Sequence, residues 1–334
     1  MKILVLRFSS IGDIVLTTPV VRALAQQMPQ AEVHFATKPA YRGLLEPNPN
    51  ITKVHCLTGS LGELVQTLRA ERFDHIIDLH NNLRTRLIKL QLGVKSSSFD
   101  KLNWQKWLLV NFKIDKLPRV HIVQRYLAAA APLGVRDDGQ GLDYFIPAGQ
   151  EVELTTLPVP FQSGGYVAVA IGAQHATKRL PLEKLVELCQ RLAPRPILLL
   201  GGPEDATVAE AIIADMAAAR HSTHQPTNPP IHNGCGRFSL HQSASLVRQA
   251  QFVVSHDTGL MHIAAAFGKE IFSVWGNTVP AFGMYPYKTA FHSVEVLGLP
   301  CRPCSKIGFA KCPKGHFKCM REQNLNLDWP SPSS

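Results

Sequence analysis

The alternation of short apolar runs with helix-forming stretches constrains the fold of this chain most strongly. In the first half, apolar runs at 2–8, 32–36 and 75–79 are separated by helical patterns at 14–28 and 61–71. Strands separated by helices of about 10–15 residues predict a parallel sheet covered on both faces. Pro19 lies inside the first helical pattern, which indicates a kink or a later helix start.

The same alternation restarts after residues 147–165, a non-periodic, Pro- and Gly-containing segment that fits a linker. Strands are predicted at 166–171, 197–200, 252–255 and 271–275, with helices at 182–192, 206–219, 240–249 and 260–267. We therefore predict an α/β protein with two Rossmann-like domains, 1–158 and 159–300, facing each other across a cleft. A basic, Cys-rich extension follows at 301–334.

Positive charge is concentrated in two parts of the chain, whose net charge is +10. Ten Lys or Arg lie between Arg84 and Arg125 against two acidic residues, and six lie between Arg302 and Arg321 with none. This pattern favours a phosphorylated lipid, an anionic membrane or nucleic acid as partner, or it is a solvated basic surface. Since no nucleic-acid motif occurs, nucleic acid is not a predicted partner.

The sequence contains no apolar stretch near the roughly 20 residues of a membrane-spanning helix. Its first apolar run is interrupted by Arg7 and is too short for a signal peptide. We expect a cytoplasmic protein.

The loop after the first strand, 8–13, carries a carboxylate, Asp13, beside Ser9 and Ser10. The chain has neither a G-x-G-x-x-G loop nor a P-loop, which argues against a dinucleotide oxidoreductase and a P-loop NTPase. An ionised Asp13 facing a cleft could accept a proton from an attacking hydroxyl. Capping of the following helix is an equally good explanation.

Two loops of the second half offer groups suited to phosphate. The segment 172–179 combines small residues, hydroxyl and amide groups and two cations, Lys178 and Arg179, after a strand. Asp257, Thr258 and Gly259 follow another strand and open a helix, whose amides can hold a phosphate. An ordinary polar loop and an ordinary helix start are the alternatives.

Two further features allow alternative interpretations. Cys301, Cys304, Cys312 and Cys319, with His316 among them, could form a structural zinc site or could be partly buried thiols. The segment 104–109 places two Trp among lysines, which fits either a helix lying at a membrane interface or one packed into the core.

Together these motifs resemble glycosyltransferase family 9, the ADP-heptose:lipopolysaccharide heptosyltransferases and their relatives. Ser-Ser-Ile-Gly-Asp at 9–13, the Lys178 loop and Ser-His-Asp-Thr-Gly-Leu-Met-His-Ile-Ala-Ala-Ala at 255–266 carry the resemblance. It extends through Gly-Asn-Thr-Val-Pro at 276–280, where the family often has Gly-Pro-Thr or Gly-Ser-Thr, and through 301–319. The resemblance implies the GT-B fold and an inverting, metal-independent transfer of a sugar, with heptose from ADP-heptose expected.

The resemblance implies that Asp13 is the general base and that Lys178 neutralises the donor diphosphate. Asp257 would lie beside the sugar, with Glu204 at the ribose and Phe238 near the adenine. The full set of predicted donor-binding residues is Ser10, Gly12, Gln174, Thr177, Arg179, Glu204, Phe238, Asp257, Thr258, Gly259 and His262. From their residue types, Asn81, Arg84 and Arg86 are predicted to bind the acceptor.

The expected partners are a nucleotide sugar and a glycolipid acceptor at the inner face of the cytoplasmic membrane, with the enzyme peripheral there. No cofactor is expected to be required for catalysis, because the chain has no Asp-x-Asp motif to hold a metal diphosphate. The alternative function is a nucleotide-sugar epimerase or hydrolase on the same scaffold. A non-catalytic nucleic-acid binder is a more distant alternative.

Overall fold

The computed structural model describes residues 1–223 and 229–331, which divide into two compact units. The first comprises 1–103 and 118–145, and the second comprises 104–117 and the described residues from 146 onward. Residues 104–117 and 146–158, assigned by the sequence analysis to the first domain, are thus part of the second compact unit. The functional domain boundaries remain a prediction.

The first unit is built on a five-stranded parallel sheet in the order β3-β2-β1-β4-β5. Its strands and helices are β1 (Lys2–Leu6), α1 (Ile11–Val15), α2 (Thr18–Gln27), β2 (Glu32–Thr37), β3 (Lys53–Cys56), α3 (Leu61–Ala70), β4 (His75–Asp78), α4 (Leu83–Leu92), β5 (Ser96–Ser98) and α6 (Ile122–Ala130). The side chains of Leu4, Leu6, Leu68 and Ile76 are buried in its core.

The second unit is built on a six-stranded parallel sheet in the order β11-β10-β9-β6-β7-β8. Its strands and helices are α5 (Asn103–Phe112), α7 (Val159–Gln162), β6 (Val167–Ala170), α8 (Leu182–Leu192), β7 (Ile197–Leu200), α9 (Ala206–Thr223), β8 (Ile231–Asn233), α10 (Leu240–Gln249), β9 (Val253–His256), α11 (Gly259–Ala266), β10 (Ile271–Trp275), β11 (Phe291–Glu295) and α12 (Lys318–Arg321). Cys319, Met320 and Leu325 join the core of this unit. The C-terminal segment is therefore an integral part of it.

The prediction of two parallel α/β sheets is confirmed, and the central strands lie within one or two residues of the predicted ranges. The single helix predicted at 14–28 is instead two helices, α1 and α2. Pro19 occupies one of the first two positions of α2, where a missing N–H costs nothing.

The sequence analysis missed four strands, β3, β5, β8 and β11, each at the edge of a sheet. Strand β5 is three serines and has two exposed positions. Edge strands need no continuous apolar run, because only one side of the strand pairs and packing on the two faces is incomplete. Among the described residues, no helix combines the length and hydropathy needed to cross a bilayer.

Candidate functional site

Asp13 lies in the first turn of α1, just beyond β1. Its Oδ2 atom accepts hydrogen bonds from the backbone N–H of Ser10, at 3.0 Å, and from the Ser10 hydroxyl, at 2.9 Å. Its side chain is 19% exposed, and Gly12 beside it is buried. Asp13 therefore takes part in the helix cap while remaining accessible to a ligand, so the two explanations offered by the sequence are compatible.

Arg7 contacts the other oxygen of this carboxylate, with 2.6 Å between Nη2 and Asp13 Oδ1. The guanidinium also donates to the carbonyl oxygens of Ser9 and Leu79 and to the Tyr126 hydroxyl. Burial opposes the charge of Arg7, yet its pKa is raised because Asp13 lies so close. The sequence analysis missed this residue, although a cation at the end of an apolar strand was a usable signal.

The loop after β4 lies next to Asp13, because β4 pairs with β1 and their carboxyl ends adjoin. Asp78, fully buried, accepts through Oδ1 from the backbone N–H groups of His80 and Asn81. The Asn81 side chain donates to the Phe99 carbonyl, and Lys101 Nζ donates to the Asn81 carbonyl at 3.2 Å. Asn81 thus holds the shape of the loop, in addition to any contact with an acceptor.

Arg84 extends over the ring of Phe8, with its guanidinium carbon 5.6 Å from the ring centroid. Phe8 also makes an edge contact with the His80 ring. Arg84, a predicted acceptor-binding cation, therefore packs on the residue that follows Arg7 in the chain.

Electrostatic interactions show that Lys101 lies near Asp13 and that Arg86 lies near Lys101. Burial, together with the charges of Arg7 and Lys101, lowers the pKa of His80 to about 4. Burial and Arg7 also lower the pKa of Lys101, with Arg86 acting in the same direction and Asp13 against it. A neutral imidazole, a carboxylate and several cations thus occupy one edge of the first sheet.

In the second unit, Lys178 and Asp257 form an ion pair, 2.6 Å between Nζ and Oδ2. Lys178 also donates to the Asp257 carbonyl oxygen at 3.1 Å. The hydroxyl of Thr278, in the loop after β10, donates to the same carboxylate oxygen at 3.0 Å. Strands β6, β9 and β10 are neighbours in the sheet, so the two loops predicted to bind the donor, after β6 and β9, meet the loop after β10 at their carboxyl ends.

Thr258 and Gly259 begin α11, as the sequence suggested. The Thr258 hydroxyl lies 3.3 Å from that of Ser255, whereas His262 is buried within the helix. His256 accepts a hydrogen bond from the Leu180 backbone N–H at 3.0 Å and so links the end of β9 to the Lys178 loop. Burial lowers its pKa to about 4, so the ring is neutral at physiological pH.

Arg179 is bound within the unit through Asp205, at 2.8 Å, and through the Ala173 carbonyl, at 2.6 Å. Asp205 also accepts from the Gly202 backbone N–H at 2.9 Å. A Cβ atom added to Gly172 would overlap the Asp205 carboxylate. The loops after β6 and β7 are therefore in close contact, which explains the glycine.

The other predicted donor residues differ in their surroundings. Glu204 and Gln174 are exposed and Phe238 is half-buried. Phe238 lies beside Gly234, in the loop that follows β8. Thr177 is buried, and its hydroxyl donates to the Phe309 carbonyl and accepts from the Phe309 N–H, so this side chain anchors the C-terminal segment.

The four clustered cysteines share one region of the second unit as free thiols. Cys301 Sγ lies 3.8 Å from His316 Nε2. Burial, together with the neighbouring Cys304, Cys312 and Cys301, raises the pKa of Cys319 to about 12. These thiols nevertheless do not bring three ligand atoms within 4.8 Å of one another, a spacing that only one group in the described chain has.

That group is His34, His55 and Glu71, in the first unit. The two rings are stacked and joined by a 2.9 Å hydrogen bond, and burial lowers the pKa of His55 to about 4. Lys2 and Lys53 already contact the Glu71 carboxylate at 3.3 and 2.6 Å. The positive charge that a metal would bring is thus supplied by lysines.

Comparison with known proteins identifies the family. The model of glycosyltransferase family 9 (heptosyltransferase) matches residues 61–312. Lipopolysaccharide heptosyltransferase 2 of Escherichia coli (strain K12) is 23% identical over 301 residues, covering 84% of each chain. Lipopolysaccharide core heptosyltransferase OpsX of Haemophilus influenzae is 26% identical over 311 residues, covering 85% of this chain and 78% of the relative.

Solved structures agree in fold. The structure of E. coli ADP-heptose lps heptosyltransferase II aligns with a TM-score of 0.68 at 21% identity, covering 96% of this chain and 98% of that one. E. coli heptosyltransferase WaaC with ADP aligns with a TM-score of 0.63 at 20% identity, covering 92% and 96%. The sequence-based expectations of family and fold are confirmed: the chain belongs to glycosyltransferase family 9, the heptosyltransferase family, and has its two-domain GT-B fold.

Proposed function

We propose that this protein transfers heptose from ADP-heptose to the core region of lipopolysaccharide. The donor is suggested by the ADP and ADP-heptose named for structurally similar proteins. The acceptor is suggested by the names of the curated relatives. The observation in this chain that carries the proposal is the Lys178–Asp257–Thr278 contact, which assembles a cation and hydroxyls at the start of α11.

In the proposed reaction, the acceptor hydroxyl attacks the anomeric carbon of the donor in a single displacement. The bond between that carbon and the diphosphate oxygen breaks, and ADP leaves with the electron pair. Asp13 takes the proton of the hydroxyl, for which its accessible position and its contacts with Ser10 and Arg7 are suited.

Lys178 balances the charge that develops on the departing diphosphate. It pairs with Asp257 in the structure, and we propose that it exchanges part of this contact for a phosphate oxygen as the bond breaks. The backbone N–H groups at the start of α11 and the Thr258 hydroxyl would hold the same diphosphate. A lysine and helix amides can perform this role without a divalent metal.

The acceptor would be recognised by the cations around the β4 loop. Arg84, Arg86 and Lys101 lie in the region of Asp13, and lipopolysaccharide cores carry anionic groups that such cations bind. A glycolipid acceptor would place the protein in the cytoplasm and at the inner face of the membrane.

If zinc binds at Cys301, Cys304, Cys312 and Cys319, we propose that it stabilises the fold. Because the thiols are spaced too widely for three of them to share an ion as they stand, zinc binding would require them to move together. The site has no proposed part in the transfer step.

A donor-binding and turnover experiment tests the proposal. ADP-heptose should raise the melting temperature in the presence of EDTA, because a ligand that binds only the folded state stabilises it. Asp13→Asn should keep donor binding while lowering kcat about 100- to 10,000-fold, the usual range for loss of a general base. Unchanged turnover in this variant would show that Asp13 is not the base.

The same assay separates the transferase from an epimerase or hydrolase on this scaffold. A transferase consumes ADP-heptose only when an acceptor is present and yields one ADP for each sugar transferred. Release of free heptose, or an altered ADP-sugar, at a similar rate without acceptor would favour the alternative.

A further inference from the structure

Helix α5 presents an aromatic cluster to solvent. The side chains of Trp104, Trp107 and Phe112 are 64%, 40% and 58% exposed. The two indole rings are stacked with centroids 4.9 Å apart, and the Phe112 ring makes an edge contact with Trp107 at 5.1 Å. Contiguous exposed aromatic surface of this kind is unfavourable in water and marks an interaction site. Of the two interpretations that the sequence allowed, the structure excludes a helix whose tryptophans lie in the core.

Basic residues accompany this cluster in the same compact unit. Lys106, Lys113 and Lys116 lie in the segment 104–117, against one acidic residue, Asp115. Aromatic rings next to lysines are typical of helices that lie at the boundary between lipid headgroups and acyl chains. The rings enter the apolar layer while the ammonium groups remain at the phosphates.

A second segment of the same composition is joined to α5. Lys113 Nζ donates to the Pro303 carbonyl at 2.7 Å, which fixes the end of α5 to the start of the segment 301–315. In that segment Ile307 and Phe309 are 62% and 39% exposed. Three exposed lysines, Lys306, Lys311 and Lys314, surround them. Its backbone is held by the hydrogen bonds of Thr177 to Phe309.

We propose that α5 and the segment 301–315 together form a surface that docks the protein on an anionic lipid bilayer. We call it the docking surface, and it comprises Trp104, Trp107, Phe112, Ile307 and Phe309 with the lysines at 106, 113, 306, 311 and 314. Charge complementarity favours this partner, because the segments 104–117 and 301–315 together hold six lysines and one carboxylate, which match phosphate-rich headgroups. This inference extends the proposed function, because a glycolipid acceptor is reached only at the membrane.

Vesicle binding tests the docking surface without any turnover. The full-length protein is sedimented with vesicles of phosphatidylcholine alone and of phosphatidylcholine mixed with phosphatidylglycerol. Binding should require the anionic lipid and weaken as salt rises, because salt screens the headgroup charge. Vesicles should also shift tryptophan emission to the blue. Trp275 is buried and Trp329 packs against the core of the second unit, whereas Trp104 and Trp107 are exposed and can enter lipid.

Two variants remove the two components of the surface. Trp104→Ser with Trp107→Ser, and separately Lys306→Glu with Lys311→Glu and Lys314→Glu, should each lower the partition coefficient about tenfold or more. Val159→Ser is the matched control, because Val159 is 78% exposed in the same unit but lies outside the surface. It should bind vesicles as the unaltered protein does.

The outcomes distinguish failure of the docking surface from failure of the proposed function. The variants should retain transfer to a delipidated core oligosaccharide while losing it to acceptor embedded in vesicles. If the unaltered protein transfers sugar to neither acceptor, the proposed function is wrong. The docking surface would still be supported by vesicle binding, which does not depend on transfer. Vesicle binding that the variants leave unchanged would overturn the docking surface. So would a dimer in analytical ultracentrifugation that the Trp variant dissociates, or salt-sensitive binding to an oligonucleotide without binding to vesicles.

Discussion

At the residue scale, the position of Asp13 depends on Arg7 beneath it. The guanidinium holds one carboxylate oxygen, the Ser9 and Leu79 carbonyls and the Tyr126 hydroxyl at once. Removing this guanidinium leaves several buried polar groups without a hydrogen-bond partner. Each of them has then given up its contact with water without gaining a contact in the protein, which costs free energy. Arg7 is therefore expected to position Asp13 and to stabilise the first unit.

Arg7→Gln tests this dependence. We expect the free energy of unfolding to fall by about 2–3 kcal/mol, because a largely buried ion pair and buried hydrogen bonds are lost together. The denaturation midpoint in urea measures the change. Arg86→Gln is the control, since Arg86 is exposed and its replacement should alter stability by less than about 0.5 kcal/mol. Equal midpoints for the two variants would contradict the role given to Arg7.

At the element scale, the loops of the second unit are held against one another by short contacts. The loop after β6 approaches the loop after β7 so closely that Gly172 leaves no room for a methyl group beside Asp205. Asp205 in turn fixes Arg179, one of the predicted donor-binding residues. The geometry of the loops that are predicted to bind the donor therefore depends on Gly172, a residue that has no side chain.

Gly172→Ala should weaken donor binding about tenfold or more, because relieving the overlap must displace Asp205 and with it Arg179. Isothermal titration with ADP-heptose measures the effect. Gly62→Ala serves as the control: an added Cβ there would meet its nearest atom at 3.8 Å, within helix α3. That change should leave donor binding intact and stabilise the helix by about 0.5–1 kcal/mol. Unaltered donor affinity in Gly172→Ala would refute the account of this loop.

Three histidines that are largely shielded from water make the stability of the fold depend on pH. His55, His80 and His256 each have a pKa lowered from 6.5 to about 4, principally by burial. Between pH 6.5 and 4 the unfolded chain binds protons that the folded chain does not. The free energy of unfolding therefore falls as pH decreases through this interval, by up to ~1.4 kcal/mol per pH unit for each histidine.

His55→Gln should make this pH dependence shallower by the contribution of one histidine. Denaturation curves between pH 4 and pH 6.5 measure the slope. His292 on β11 is the control, since its side chain is 52% exposed and His292→Gln should leave the slope as it is. A slope that does not change in His55→Gln would mean that its imidazole is not kept neutral by the fold.

At the scale of the whole molecule, the two units carry complementary chemistry. The first has a carboxylate among cations, and the second has a cation paired with a carboxylate at a helix start. A transfer reaction needs a base for the acceptor and charge stabilisation for the leaving diphosphate, and the proposed function assigns the first role to Asp13 in one unit and the second to Lys178 in the other. We accordingly expect each function to be lost separately by substitutions in one unit.

Metal removal tests the molecule as a whole. Dialysis against EDTA should leave the rate of transfer unchanged, because in the proposed mechanism Lys178 and the amides of α11 take the place of a metal at the diphosphate. A rate that falls on dialysis and returns only with Mg²⁺ or Mn²⁺ would contradict this. A lower melting temperature after dialysis, with the rate intact at low temperature, would instead indicate structural zinc at the cysteines.

The sequence predicted the central strands of both sheets and the family. Each of these depends on local pattern: continuous apolar runs mark strands covered on both faces, and the motifs at 9–13 and 255–266 are contiguous. Edge strands such as β5, with three serines, carry no such pattern. Their pairing is decided by neighbours distant in the sequence.

The residues that contact the site residues likewise could not be predicted from the sequence. Arg7 and Asp13 are six residues apart, but Lys178 and Asp257 are separated by 79 and Thr177 and Phe309 by 132. The sequence by itself determined the layered α/β architecture and indicated which loops to propose as phosphate-binding, because both depend on residues close together in the chain. Only the tertiary structure decided which side chains hold each other in place and which aromatic residues remain exposed, because those contacts form when distant segments pack.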